Sequence, residues 1–297
     1  MPTTSPPARR RFSPTSVVAM TLLPGRTENG GLHHDRSASI SPCDDGAAVR
    51  SGPARAGPAA VTGPGPSPDS SSRVVRFGLA PRRPGLTAAE FVELWAEHGV
   101  RSRRAGRPGR LSYVQNFPVL QAGRHLLPYP GFDVCAEATY ESMRAVEAAF
   151  APGAPVGLHA DRYGLLDETA FNAVTARRHV VIDGTVAGDS VKLMTFYRSH
   201  PQHGPGPLSE RLMGEHARIV AEISPMRHEV LLANSPEPRQ CDAIEIIWFE
   251  SPGDALDYTR SDAAYTAAVV LGGRCFGTER LIARPVSGGE HTTHGQR

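Results

Sequence analysis

The chain has 297 residues and almost balanced charge, 32 basic side chains against 30 acidic ones, for a formal net charge of +2. That balance leaves no whole-chain footprint for nucleic acid or an anionic membrane surface, and no run of ~18 apolar residues is present that could span a bilayer. The four cysteines, Cys43, Cys135, Cys241 and Cys275, are widely spaced without a CxxC pair. They read as reduced thiols, and the expected location is cytoplasmic.

From Met1 to Ser72 the chain is crowded with Pro, Gly, Ser, Ala and Arg, as in "SGPARAGPAAVTGPGPSPDSSS". Too few apolar groups are present to offset the entropy of ordering, so residues 1–72 are expected to be a disordered tail. Arg9, Arg10 and Arg11 precede a short apolar run from Ser16 to Leu23. An export signal needs an apolar stretch of ~7–15 residues and a small-residue cleavage site. Pro24 ends the run and no A-x-A follows, so a solvated tail, or a start codon placed too early, is preferred to a leader. The last residues, 288–297, read as a second disordered tail.

The pattern then predicts a strand at 74–80 and a helix from Thr87 to about Arg103, with Thr87 as N-cap and Glu90 as its capping-box partner. Strands follow at 110–117 and 133–140, a short helix at 142–150, and a strand at 177–183. A second series starts with the strand "VKLMTFY" and the helix "LSERLMGEHARIVAEI". It continues with the strands "RHEVLLA" and "AIEIIWF", the helix "PGDALDYTRS" and the strand "ERLIARP". The two series align on each other. His98 matches His216 and Asn116 matches Asn234 at an offset of 118; Asp133 matches Asp242 and Ser142 matches Ser251 at an offset of 109. One change of offset, inside one loop, is what a duplicated unit with a trimmed loop produces. Each unit reads β-α-β-β-α-β, the ferredoxin-like arrangement with both helices on one sheet face. The expected fold is α+β: two ferredoxin-like repeats, 73–187 and 188–287, whose bare sheet faces cover each other in a barrel of the dimeric α+β type within one chain. Another subunit could also contribute, so a homodimer stays open.

The string "RRPGLTAAEFVELWAEHG…LSYVQN…DVCAEATYES…DETAF…RRHVVID" resembles the EthD-like family of dimeric α+β barrels. The match runs through Arg83, Pro84, Gly85, Phe91, Trp95, His98, Tyr113, Gln115, Asn116, Asp133, Glu137, Ser142, Asp167 and Phe171. The second copy follows more weakly, through His216, Asn234, Asp242, Trp248, Phe249 and Ser251. Two departures stand out. Only Ala96 and Glu97 lie between Trp95 and His98, one residue fewer than usual, and the counterpart of Glu137 is Ile246, with Glu245 beside it on the opposite strand face. The resemblance implies a small enzyme of secondary or xenobiotic metabolism, such as polyketide tailoring, that needs no cofactor. It would act on a hydrophobic aromatic molecule by oxygenation, decarboxylation, dehydration or cyclisation, as a monooxygenase-type oxidoreductase or a lyase. The fold does not choose among these.

The expected catalytic pair is His98, whose imidazole titrates near working pH, with Glu137 to orient it. Trp95, Tyr113, Asn116 and His216 are expected to line the substrate site. Strand parity leaves open whether the set of Tyr113 or that of Asn116 faces the pocket. For each residue the competing reading is structural, His98 as a packed core histidine and Glu137 as a strand charge. The competing function is a non-catalytic carrier or partner-binding barrel. His200 and His203 have ligand-like spacing without a second pair, so no metal site is expected, and nothing marks an axial haem ligand. No G-x-S-x-G elbow occurs, and the glycines of "VLGGRCFG" do not form a nucleotide loop.

Overall fold

The computed structural model describes residues 72–151, 164–234 and 241–287. Apart from Ser72, both tails read as disordered lie outside them. Eight strands close an antiparallel barrel: β1 (Val74–Ala80), β2 (Arg110–Pro118), β5 (Val134–Tyr140), β6 (Asn172–Ile182), β7 (Val191–Ser199), β8 (Arg227–Ala233), β9 (Ala243–Phe249) and β10 (Cys275–Ser287). A small hairpin of β3 (Leu120–Gln121) and β4 (Arg124–His125) stands apart. Around the barrel the order is β6-β1-β5-β2 and then β10-β7-β9-β8. The seams between residues 74–182 and 191–287 are β2 with β10, where Pro118 faces Ala283, and β6 with β8, where Ala176 faces Ala233.

Strand alternation sorts the side chains. Val75, Phe77, Leu79, Cys135, Met194, Phe196, Leu231, Ile244, Ile246 and Leu281 point inward and pack as one buried cluster. The residues between them point outward, beneath the helices. Phe91 and Trp95 of α1 (Ala88–Ala105) pack on Ala80, Phe117 and Val134. α2 (Met143–Phe150) covers Val74, Ala138 and Tyr140.

The expected elements largely form, and Thr87 and Glu90 make the expected capping box. The long helix expected around His216 is broken, however. α3 (Pro205–Arg211) passes into a single π turn (Leu212–His216), and α4 (Ala217–Glu222) continues from it. Gly214 at the break has φ −100° and ψ −108°, outside the helical region, so the i→i−4 ladder is interrupted there. After α5 (Pro252–Thr259) comes a helix absent from the sequence reading, α6 (Asp262–Leu271), capped by Ser261. β6 begins five residues before the expected Arg177 and β10 four before the expected Glu279.

The two halves share local devices. Asp133 accepts the Arg82 backbone N–H at 3.0 Å, and Asp242 accepts that of Ser199 at 2.8 Å. Ser142 caps α2 and Ser251 caps α5. The match of Asn116 to Asn234 fails in register. Asn116 faces Cys135, and the residue facing Ile244, which matches Cys135, is Leu231. Asn234 lies past the end of β8. A bulge between Arg110 and Ser112 in β2 is one irregularity that sequence alignment cannot register.

Candidate functional site

Strand parity separates His98 from Glu137. Glu137 faces the barrel interior, where Lys192 Nζ donates to Oε2 at 2.7 Å, Asn116 Nδ2 donates to the same oxygen at 3.3 Å, and Arg178 pairs with Oε1. Burial pushes the Glu137 carboxyl up, but the charges of Lys192 and Arg178 outweigh it and bring it down to about 2. His98 lies on the other side of the sheet, on the buried face of α1, with its ring 4.6 Å from that of Trp95. The expected pairing of the two is therefore corrected: an inward strand residue cannot reach an outer helix face. Trp95, His98 and Tyr113 do meet, around a cavity of about 70 Å³ lined also by Gly78, Ala136 and Phe171. Asn116 and Glu137 meet inside the barrel instead.

A larger cavity of about 280 Å³ lies at the corresponding outer face of the second half, between the sheet and α6. One row of residues crosses its floor, Arg280 beside Thr195 and Thr195 beside Glu245. By the same register the first half carries Ala173, Gly78 and Ala136 in this row. In this row the polar side chains belong to the second half, while the first-half cavity takes its polar lining from elsewhere, Arg76, Ser102, Arg107 and Arg110 beside His98 and Tyr113.

Glu245 is fully enclosed and accepts three hydrogen bonds: from Tyr197 Oη at 2.7 Å, His216 Nε2 at 2.7 Å and His228 Nε2 at 2.8 Å. His216 Nδ1 donates to the Ala267 carbonyl at 2.9 Å. A carbonyl and a carboxylate can only accept, so both ring nitrogens of His216 carry protons and the ring is an imidazolium. Burial alone would lower its pKa, but the Glu245 charge and hydrogen bond and the Ala267 carbonyl raise it. Burial acts on Glu245 in the opposite sense, upward, and is overcome by the His216 charge and the hydrogen bonds from both histidines, which leave the carboxyl far below its ordinary range. Tyr197 and Tyr258 are pushed up by burial and by the Glu245 charge, so both phenols stay protonated.

Glu245 and His216 together are neutral, whereas Arg280 at the cavity wall has no carboxylate partner among the described residues. The site therefore carries one uncompensated positive charge beside hydroxyl donors on Tyr258, Thr195 and Thr278. Such a site can receive an anionic oxygen on an apolar body, since Leu193, Ala264, Ala267, Leu271 and Phe276 are among the apolar part of the lining.

Of the expected residues, only His216 reaches this cavity. Glu245 and Arg280 were missed as site residues; Glu245 is a lone charge in an otherwise apolar strand, the signal that could have found it, whereas Arg280 stands between Glu279 and Arg284 without such a signal. Tyr197 and His228 carried no such signal. His200 and His203 lie at a turn with their rings 5.2 Å apart.

No protein-family description matches the chain, and no curated protein matches its sequence. Solved structures do match in fold. An anthrone oxidase-like protein is similar with a TM-score of 0.56 and 14% identity, over 75% of this chain and 96% of that one. A candidate monooxygenase from Fusobacterium nucleatum gives 0.48 and 7%, over 72% and 93%. A chlorite dismutase mutant from Candidatus Nitrospira defluvii gives 0.45 and 12%, over 73% and 91%. At these identities the likeness concerns fold.

Proposed function

We propose that the chain is a small-molecule enzyme whose working site is the cavity of Glu245, His216 and Arg280, and that it oxygenates an aromatic substrate bound through an ionised phenol or enol oxygen. The observation that carries this reading is Arg280, without a carboxylate partner among the described residues, beside an imidazolium held in place by Glu245. With the His216 charge balanced by Glu245, the charge of Arg280 beside the hydroxyl donors favours the anionic form of a weakly acidic ligand. The name of the anthrone oxidase-like neighbour offers a substrate type that fits, a fused-ring ketone that becomes an enolate when it loses a proton.

On this reading the proton leaves to solvent, because His216 already holds both of its protons. Arg280 and the hydroxyl donors hold the enolate oxygen. Molecular oxygen forms a bond to the electron-rich ring carbon, and the hydroperoxide loses water to leave a carbonyl. A CH₂ group and O₂ thus become C=O and H₂O without a further reductant. His216 acts as a fixed charge that keeps both of its N–H groups on Glu245 and Ala267, the peroxide oxygen takes its proton from solvent before water is lost, and the general-base role expected of a histidine is not used. The substrate is a small hydrophobic molecule, and no cofactor is invoked.

We also read the halves 73–187 and 188–287 as two copies of one ferredoxin-like unit of EthD-like type, forming a pseudo-dimer in one chain. The matching strand orders and the paired Asp133/Asp242 and Ser142/Ser251 devices support this.

The test uses 1,8-dihydroxyanthrone. Bound without oxygen at a pH where the free compound is protonated, it should show the absorbance of its ionised form, and air should convert it to the quinone. Arg280→Met should lose the ionised spectrum and at least about 10²-fold in turnover, the cost of deleting a charge-stabilising group. His98→Gln should stay within about twofold. Loss of turnover in His98→Gln with Arg280→Met unaffected would move the site to the first half.

A further inference from the structure

Arg280 and Thr278 line two cavities. Beyond the site just described lies a groove of about 570 Å³, between α5 and the segment from Leu126 to Pro130. That segment belongs to the loop that is longer in the first half than in the second. It crosses the seam: Val119, Leu126 and Leu127 pack against Val191, Leu193, Leu256 and Tyr258 of the second half. Its far end is tied down, because Tyr129 Oη donates to Asp133 at 3.1 Å and His125 Nε2 donates to the same carboxylate at 3.2 Å. The groove thus has a built apolar wall opposite Arg260 and Glu279, and it shares Arg280 and Thr278 with the cavity.

We infer that this groove is a second subsite of the same substrate, and that it takes an apolar extension attached to the ionised ring. The inference rests on the proposed role of Arg280 as the anion's partner. Arg280 and Thr278 are common to both cavities, so an extension of a molecule held at Arg280 has the groove as its neighbouring space, and the groove offers more room than the cavity itself. The expected substrate class is therefore an aromatic phenol or enol bearing an alkyl, acyl or further-ring substituent, with Leu126, Leu127 and Leu256 determining specificity for that substituent.

The probes are 4-ethylphenol, 4-butylphenol and 4-octylphenol, with Kd measured by calorimetry on the full chain. Each methylene buried should tighten binding by about threefold to fourfold, until the groove is filled. The doubly substituted Leu126→Ser/Leu127→Ser chain should bind 4-ethylphenol as before and lose most of the gain with length. Thr259→Trp, which fills the groove from the α5 side without touching the loop, should lose that gain too and guards against a misfolded loop variant. Arg280→Met should weaken all three phenols by a similar factor. A Kd that stays flat with chain length, or a gain that survives Thr259→Trp, overturns the subsite while leaving the reading of Arg280 intact. If 4-ethylphenol binding is equally weak in the unaltered chain and in Arg280→Met, both fall together.

Discussion

At Glu245 one carboxylate organises three donors, and the consequence is a pH window. The His216 pKa is raised above its ordinary value near 6.5, so its contribution to stability is fully present below that value and is lost as pH rises through the raised pKa. Glu245 is depressed from about 4.5, so its contribution is present above that value and is lost as pH falls through the depressed one. Denaturant unfolding followed against pH should therefore give a plateau from about pH 5 to beyond pH 6.5, with an alkaline decline that His216→Gln lacks. Removing one member of a buried ion pair costs about 3 kcal/mol or more, and His216→Gln should show a loss of that order at pH 6. Tyr197→Phe deletes one neutral donor to a carboxylate and should cost less, about 1.5 kcal/mol. Its cavity keeps Arg280, so the ionised spectrum of a bound phenol should persist.

Helix α1 shows how far packing at the scale of one element depends on a single position. Gly99 lies against the fully enclosed Gln115, whose Nε2 donates to the Trp95 carbonyl at 2.9 Å. A Cβ at residue 99 would stand 1.8 Å from Gln115 Oε1. Gly99→Ala should therefore gain helix propensity and still lose about 1–3 kcal/mol by overpacking, seen as a fall in Tm of several degrees. Most elements were legible in the sequence because their signals are local. The capping box at Thr87, the period-2 strands and the Ser caps need no knowledge of the rest of the chain. α6 was not, because its alanine-rich run lacks a strong apolar stripe and follows α5 across only Arg260 and Ser261. The break at Gly214 was hidden as well, since one glycine in an apolar-periodic helix is ordinarily tolerated. The candidate site was legible only at His216. Pairing it with Glu245 requires knowing which face of β9 meets the helices, and the sequence match drew attention to Ile246, the inward neighbour.

The two halves of the whole molecule are joined by charge as well as by strands. Inside the barrel, Lys192 of β7 meets Glu137 of β5, and Arg178 of β6 meets Glu229 of β8, with Nε and Oε2 3.4 Å apart. Arg227 Nε also donates to Glu229 at 2.7 Å. The Lys192 ammonium sits 4.7 Å from the Trp248 ring centre, so its charge is shared between a carboxylate and an aromatic face. The Lys192–Glu137 and Arg178–Glu229 pairs form only when residues 74–182 and 191–287 close on each other, and a buried charge left without its partner is costly. A double-mutant cycle across the seam isolates the term. Lys192→Met should destabilise the chain by about 3 kcal/mol, because Glu137 keeps Arg178 and Asn116 but loses one of its two cations at a buried site. Lys192→Met combined with Glu137→Gln should cost clearly less than the two single changes together, with a coupling of at least about 1 kcal/mol. The acid limb gives an independent check. Glu137 is depressed to about 2, so its contribution is complete above pH 4.5 and disappears as pH falls toward 2. The unaltered barrel should lose stability across that interval, and the doubly substituted one should lose less. Additive costs and unchanged acid limbs would mean that the strand seams alone hold the halves together.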